Sequence, residues 1–161
     1  MEESMAEWLK EVEPLTMKGQ IAVPYTWWVG ETGSRFLVSL RDDQKILGSR
    51  CKACGTVYVP ARKNCGRCFA DIDEWVDIAD KGVIQAYTIV HYTQPVHPVK
   101  APFAYALIKL DGADVSFLHL IKKNLDKLKN GLRVKANFKA ERKGNILDID
   151  SFELIAAQGG K

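Results

Sequence analysis

Long apolar runs are missing from this 161-residue chain, and so are spare cysteines, clustered histidines and the common catalytic signatures. No uninterrupted apolar segment approaches the ~20 residues that a membrane helix needs. The first residues, Met1-Glu2-Glu3-Ser4, are acidic and lack the basic start and apolar stretch of a secretory signal, so a cytoplasmic protein is expected. No G-x-S-x-G elbow, P-loop or G-x-G-x-x-G is present, which removes the serine-hydrolase and common nucleotide-binding readings. Only three histidines occur. His91 and His119 fall in strand-like segments, and no Asp, Ser or Cys partner is set up beside them, so each reads as a structural or partly exposed histidine and not a general base. His97, between Val96 and Pro98, is the one better placed for a ligand or partner.

What remains is the composition of a globular protein, 47% hydrophobic and 27% charged, which excludes wholly disordered and collagen-like chains. The net charge of +3 is unevenly spread. Residues 1–81 hold 11 Lys/Arg and 13 Asp/Glu, whereas residues 82–161 hold 12 and 7. Six cations, Lys122, Lys123, Lys127, Lys129, Arg133 and Lys135, crowd into one short stretch. A solvated surface is the plain reading of that cluster. A phosphate site is the sharper one, weakened by the lack of interleaved aromatic residues.

The four cysteines form two C-x-x-C pairs, Cys51-Lys52-Ala53-Cys54 and Cys65-Gly66-Arg67-Cys68, ten residues apart. Two residues between thiolates let both sulfurs reach one metal while backbone amides point at them, and Gly55 and Gly66 ease the turns. Two such knuckles predict a tetrahedral S4 site of zinc-ribbon type, with iron in a rubredoxin-like site as the redox alternative. Four thiolates leave no open coordination position, so the metal is expected to be structural. No thiol is left over as a nucleophile.

Along the chain, Ser4-Met5-Ala6-Glu7 reads as a capping box opening a short helix through Val12, which Pro14 closes. An aromatic segment follows, Pro24-Tyr25-Thr26-Trp27-Trp28. Two adjacent tryptophans cannot share one face, so one of them is expected to be exposed or bound to a partner. Ser34–Leu40 reads as a short amphipathic helix, and Lys45–Arg50 and Val57–Val59 as strands around the first knuckle. After the second knuckle come five β-rich stretches: 82–92, 103–110, 114–121, 132–140 and 146–154. They are divided by turn signals, with a hint of a helical turn at Leu125 and Leu128. That order predicts an OB-fold barrel. The expected fold is mainly β, in three parts: an N-terminal helical and aromatic arm (1–44), a rubredoxin-like zinc ribbon (45–80) and a five-stranded OB-fold (81–161).

Gly48-Ser49-Arg50-Cys51-Lys52-Ala53-Cys54-Gly55, Val57-Tyr58-Val59-Pro60, Asn64-Cys65-Gly66-Arg67-Cys68, Trp75, the run from Gly82 to His91, the run from Pro102 to Gly112, Asn130-Gly131-Leu132-Arg133-Val134 and Phe152 carry a further signal. Over nearly its whole length the chain resembles the acyl-CoA-associated zinc-ribbon/OB-fold family, long catalogued as domain of unknown function thirty-five. The resemblance implies a non-catalytic subunit of a thiolase-fold acyl-CoA enzyme in a hetero-oligomer. Structural zinc would sit on Cys51, Cys54, Cys65 and Cys68, and CoA would be shared with the partner. Trp27, Trp28 and Phe36 are the expected partner contacts; no catalytic residue is expected and no CoA-binding residue can be mapped. The segment from Pro24 to Leu37 is also similar to the small subunits of thiolases that cleave benzoylsuccinyl-CoA in anaerobic toluene degradation. The lysine cluster has no counterpart in the family pattern. The competing reading is a zinc-ribbon/OB-fold nucleic-acid-binding module, which rests on fold analogy and the basic second half alone.

Overall fold

The computed structural model describes residues 16, 17, 19 and 23–155. The expected helix from Ser4 to Val12 and the tail from Gln158 lie outside the described residues. Gly30–Asp42 forms α1, longer than the expected Ser34–Leu40 by four residues at its start. Gly30 adopts φ 77°, a turn that glycine makes without strain. Glu31 in the first turn and Arg41 in the last complement the helix dipole. Phe36 and Leu40 lie one turn apart and bury the apolar face, while Val38 stays in solvent.

After α1, β1 (Ile46–Arg50) lies between β2 (Val57–Tyr58) and β3 (Glu74–Ile78) in a small antiparallel sheet. The strand β3 has no counterpart in the sequence-based expectation. It pairs with β1 along its whole length, from Ile46↔Ile78 to Arg50↔Glu74. Only Ile78 in it is fully buried, so its alternation is shallow, and Asp71 and Asp73 just before it read as turn residues.

The next five strands close a barrel: β4 (Lys81–Val90), β5 (Phe103–Leu110), β6 (Ser116–Ile121), β7 (Arg133–Phe138) and β8 (Ile149–Leu154). Their spatial order is β4-β5-β6-β8-β7, and β7 returns to β4 through Lys81↔Lys135, Gly82↔Val134 and Val83↔Arg133. β6 meets β8 in parallel and every other pairing is antiparallel. A 3-10 turn at Leu125–Lys127 occupies the place of the expected helical turn. This is the mainly β architecture that the sequence predicts, an OB-fold behind a ribbon. No helix among the described residues is long and apolar enough to cross a membrane.

A single apolar cluster runs from Phe36 and Leu40 through Ile46, Val57, Val59 and Ile78 into Ile84, Ile108, Ile121, Val134, Ile149 and Phe152. The ribbon therefore shares its interior with the barrel. Asp114, in the turn before β6, joins them at the edge: the Val57 N–H donates to its Oδ2 at 2.8 Å and its own N–H donates to the Val57 carbonyl at 3.0 Å. Gly82 marks the tightest backbone approach, because a Cβ there would strike the Lys109 carbonyl.

Candidate metal centre

The two knuckles stand at turns that flank β2. Gly55 takes φ 75°, and its N–H donates to the Cys51 carbonyl at 2.8 Å. In the second knuckle the Phe69 N–H donates to the Cys65 carbonyl at 3.0 Å, and the N–H groups of Arg67 and Cys68 donate to Cys65 Sγ at 3.4 and 3.5 Å. These turns bring all four Sγ atoms within 4.8 Å of one another, with Cys51–Cys68 and Cys54–Cys65 at 3.5 Å. Zinc–sulfur bonds of ~2.3 Å imply tetrahedral edges of about 3.8 Å, so the set fits a four-thiolate zinc site.

The electrostatics point the same way. The Tyr58 hydroxyl, 3.3 Å from Cys65 Sγ, is the main reason that this thiol is lowered to about 5; the amides of Cys68 and Arg67 add to it. Cys54 is lowered chiefly by Thr56, whose Oγ1 lies 3.2 Å away. At Cys68 the Ala70 amide favours the thiolate, yet the facing sulfurs of Cys65 and Cys51 outweigh it and the thiol is pushed up to about 12. A bare set of four sulfurs thus resists full ionisation, and a divalent cation is what relieves that repulsion. Cys51 and Cys65 are buried with Tyr58 in a cluster separate from the main interior, while Cys68 is exposed. Tyr58 and Thr56 have no sequence signal as supporting groups beyond their nearness to the first knuckle.

The expected partner contacts divide. Trp27 and Trp28 are 67% and 75% exposed, in a non-helical segment with exposed Val23 and Tyr25. Phe36 is corrected: at 3% exposure it packs in the interior cluster with Leu40 and has no surface to offer. It lies on the inward face of α1, one turn before Leu40, so burial claims it first.

The basic cluster is largely neutralised by strands brought beside it. Lys122 pairs with Asp150, Lys123 with Glu153, Arg133 with Asp111 and Lys135 with Asp80. The plain reading of a solvated surface fits these pairs better than a phosphate site. His91 is exposed, and His97, in the loop 91–102, packs tilted against Tyr92 and edge-on against Phe103 of β5.

His119 is the buried histidine. It points into the barrel between Phe117 and Phe152, its Nε2 is 3.2 Å from the Ile146 carbonyl and its Nδ1 has no partner. Burial lowers its pKa, and the Ile146 carbonyl only partly offsets this. The neutral ring is therefore the folded form. Its stabilising effect is complete above the unfolded value near 6.5 and declines as pH falls from there towards the lower folded value, by up to about 1.4 kcal/mol per pH unit. Urea midpoints at pH 7.5 and 5.5 should fall for the wild type and fall less for His119→Leu; equal slopes would refute the assignment.

A four-cysteine ribbon packed on a closed five-strand barrel defines a zinc-ribbon/OB-fold protein. Comparison with known proteins narrows this. Family models for ChsH2 match the chain, its rubredoxin-like zinc ribbon domain over residues 39–74 and its C-terminal OB-fold domain over 75–139. A DUF35 domain-containing scaffold protein of Methanocaldococcus jannaschii is 36% identical over 67 residues, 41% of this chain and 48% of the relative. The match thus spans about half the length of that curated relative. A DUF35 family protein of unknown function from Sulfolobus solfataricus has a crystal structure that aligns with a TM-score of 0.55 at 32% identity, covering 67% of this chain and 77% of that one. The Ltp2-ChsH2(DUF35) aldolase shares the fold, with a TM-score of 0.55 at 20% identity over 78% of this chain and 93% of the other. The chain belongs to the DUF35 zinc-ribbon/OB-fold family.

Proposed function

We propose that this chain is a non-catalytic, zinc-binding subunit that completes the CoA and substrate site of a thiolase-fold acyl-CoA enzyme. The observation that carries the reading is the convergence of Cys51, Cys54, Cys65 and Cys68 on one point, since the chain has no other thiol. A thiolase reaction needs a free cysteine thiolate. Here every sulfur is committed to a closed set, so the nucleophile belongs to a partner. The partner's cysteine attacks the ketone of the acyl-CoA; the carbon–carbon bond breaks with its electron pair leaving on the CoA-bearing fragment as an enolate, which takes up a proton; and a CoA thiol then displaces the cysteine from the acyl thioester and carries off the shortened acyl group. This chain supplies order and shielding from water. Zinc holds the ribbon through the four cysteines, and the exposed Trp27-Trp28 segment is the anchor for the partner. The pairing of a DUF35 chain with an aldolase in the Ltp2-ChsH2 neighbour, and the scaffold naming of the archaeal relative, support an enzyme partner. The likeness of residues 24–37 to benzoylsuccinyl-CoA thiolase small subunits supports anaerobic toluene degradation as the narrower setting.

Co-expression with a thiolase-fold subunit encoded beside it should give one co-migrating complex with thiolytic activity. Two separately migrating proteins and an active lone thiolase would sink the proposal. Trp27→Ala and Trp28→Ala should weaken that complex by ~10-fold or more each, the size expected of aromatic anchors, with the melting temperature of the free chain unchanged. Elemental analysis should find one zinc and a colourless protein, against the iron alternative.

A further inference from the structure

The outward positions of β4, β5 and β6 form a second apolar face that the barrel interior does not use. Cross-strand register places Ala86 beside Leu107 and Leu107 beside Leu118, then Thr88 beside Tyr105 and Tyr105 beside Leu120, then Val90 beside Phe103. Phe103 and Leu120 are buried although neither belongs to the interior cluster. Phe103 lies against the ring of His97, which in turn packs on Tyr92, so the loop 91–102 covers one end of the face. The other end is open. Leu107 is 41% exposed and Leu118 57%, side by side where an antiparallel sheet ordinarily turns polar residues to water.

Charge decides what kind of surface this is. Lys109 follows Leu107 on the same face, opposite Ser116, and Lys100 lies in the covering loop. Neither is ion-paired among the described residues. The stretch 81–121 contains only two acids, and both are occupied: Asp111 holds Arg133, and Asp114 accepts from the Val57 N–H. The open patch is therefore aliphatic, with Lys109 beside it and both carboxylates of the stretch 81–121 already engaged. A second copy of the chain would set lysine against lysine there. Single-stranded nucleic acid would find leucines where stacking needs exposed rings, and too few cations to follow a phosphate backbone.

We propose that the outer face of β4–β6, centred on Leu107 and Leu118, docks a different protein chain that presents an apolar surface edged by carboxylates. The proposal rests on the reading of this chain as a subunit and adds a contact on the barrel, far in sequence from the tryptophan segment. The test uses the full chain and the thiolase-fold subunit of the preceding section, with affinity and association rate measured on purified proteins. Leu107→Gln and Leu118→Glu should each weaken binding about 30-fold or more while the free chain melts as the wild type does. Lys109→Glu should mainly slow association and flatten its dependence on salt. Undiminished binding by both leucine variants would overturn this face and leave the subunit reading standing. Failure of the wild type to bind would overturn both. Self-association of the wild type relieved by Leu118→Glu would assign the face to a second copy, and salt-sensitive oligonucleotide binding lost in Leu118→Glu would assign it to nucleic acid; either would overturn the proposal.

Discussion

Replacing Cys65 with serine should abolish stoichiometric metal binding and open the ribbon while leaving the barrel folded. Cys65 is the buried sulfur on which the Tyr58 hydroxyl and the amides of Arg67 and Cys68 converge, so it is the ligand with most of the local structure built around it. Serine removes the soft ligand and is a far weaker partner for zinc. Structural zinc contributes ~10–16 kcal/mol of apparent binding free energy in small ribbon-like folds, most of which depends on the complete ligand set. Metal content should fall from one equivalent to nearly none. Trypsin should then cut at Lys52, Arg62, Lys63 and Arg67, which all lie at the surface. Far-ultraviolet circular dichroism should lose little, because the barrel strands lie elsewhere. A serine variant with full zinc and unchanged proteolysis would refute the four-sulfur site.

Phe152→Ala should cost about 3–5 kcal/mol of folding stability, the range found for buried phenylalanine truncations. Phe152 is wholly buried on β8, the strand that pairs in parallel with β6 and antiparallel with β7, in register with Ile121 on one side and Ala136 on the other. Its ring packs 6.2 Å from Phe117 and 5.5 Å from His119. A void there touches the barrel's one parallel seam, and Ala136 is too small to fill it. Against a usual total of ~5–15 kcal/mol, such a loss takes a large share. Urea denaturation with an unchanged m-value would measure it; a loss below ~1 kcal/mol would show that the seam collapses around the gap.

The parts of this fold that local chemistry determines were legible in the sequence. β5 matches its expected limits because Phe103–Leu110 is a nearly unbroken apolar and aromatic run that ends at Asp111-Gly112, where Gly112 takes φ 92°. The two knuckles were legible as a metal-binding pair from spacing alone. The misses come from a local cap that competes with the strand and from long-range partners. β8 begins at Ile149, three residues later than expected, because Ile146–Asp148 forms a 3-10 turn capped by Asn145. Asp148 then accepts from the N–H groups of Lys143, Gly144 and Asn145. The acids that quiet Lys122 and Lys123 stand 28 and 30 residues away in sequence, so the apparent basic patch could not be discounted locally. Phe36 was misassigned for a related reason: an aromatic residue on a short helix looks the same whether its face meets a partner or its own barrel.

The two hydrogen bonds between Asp114 and Val57 tie the backbone of β2 to the barrel from outside the metal cluster. Val57 and Val59 lie in the main interior, whereas Cys51 and Cys65 pack apart from it with Tyr58. The strand between the knuckles is therefore held in place by contacts that need no metal. The consequence is a division of labour along one short strand: its valines answer to the barrel and its flanking sulfurs to the metal, so β2 has an anchor that does not pass through the knuckles on either side of it.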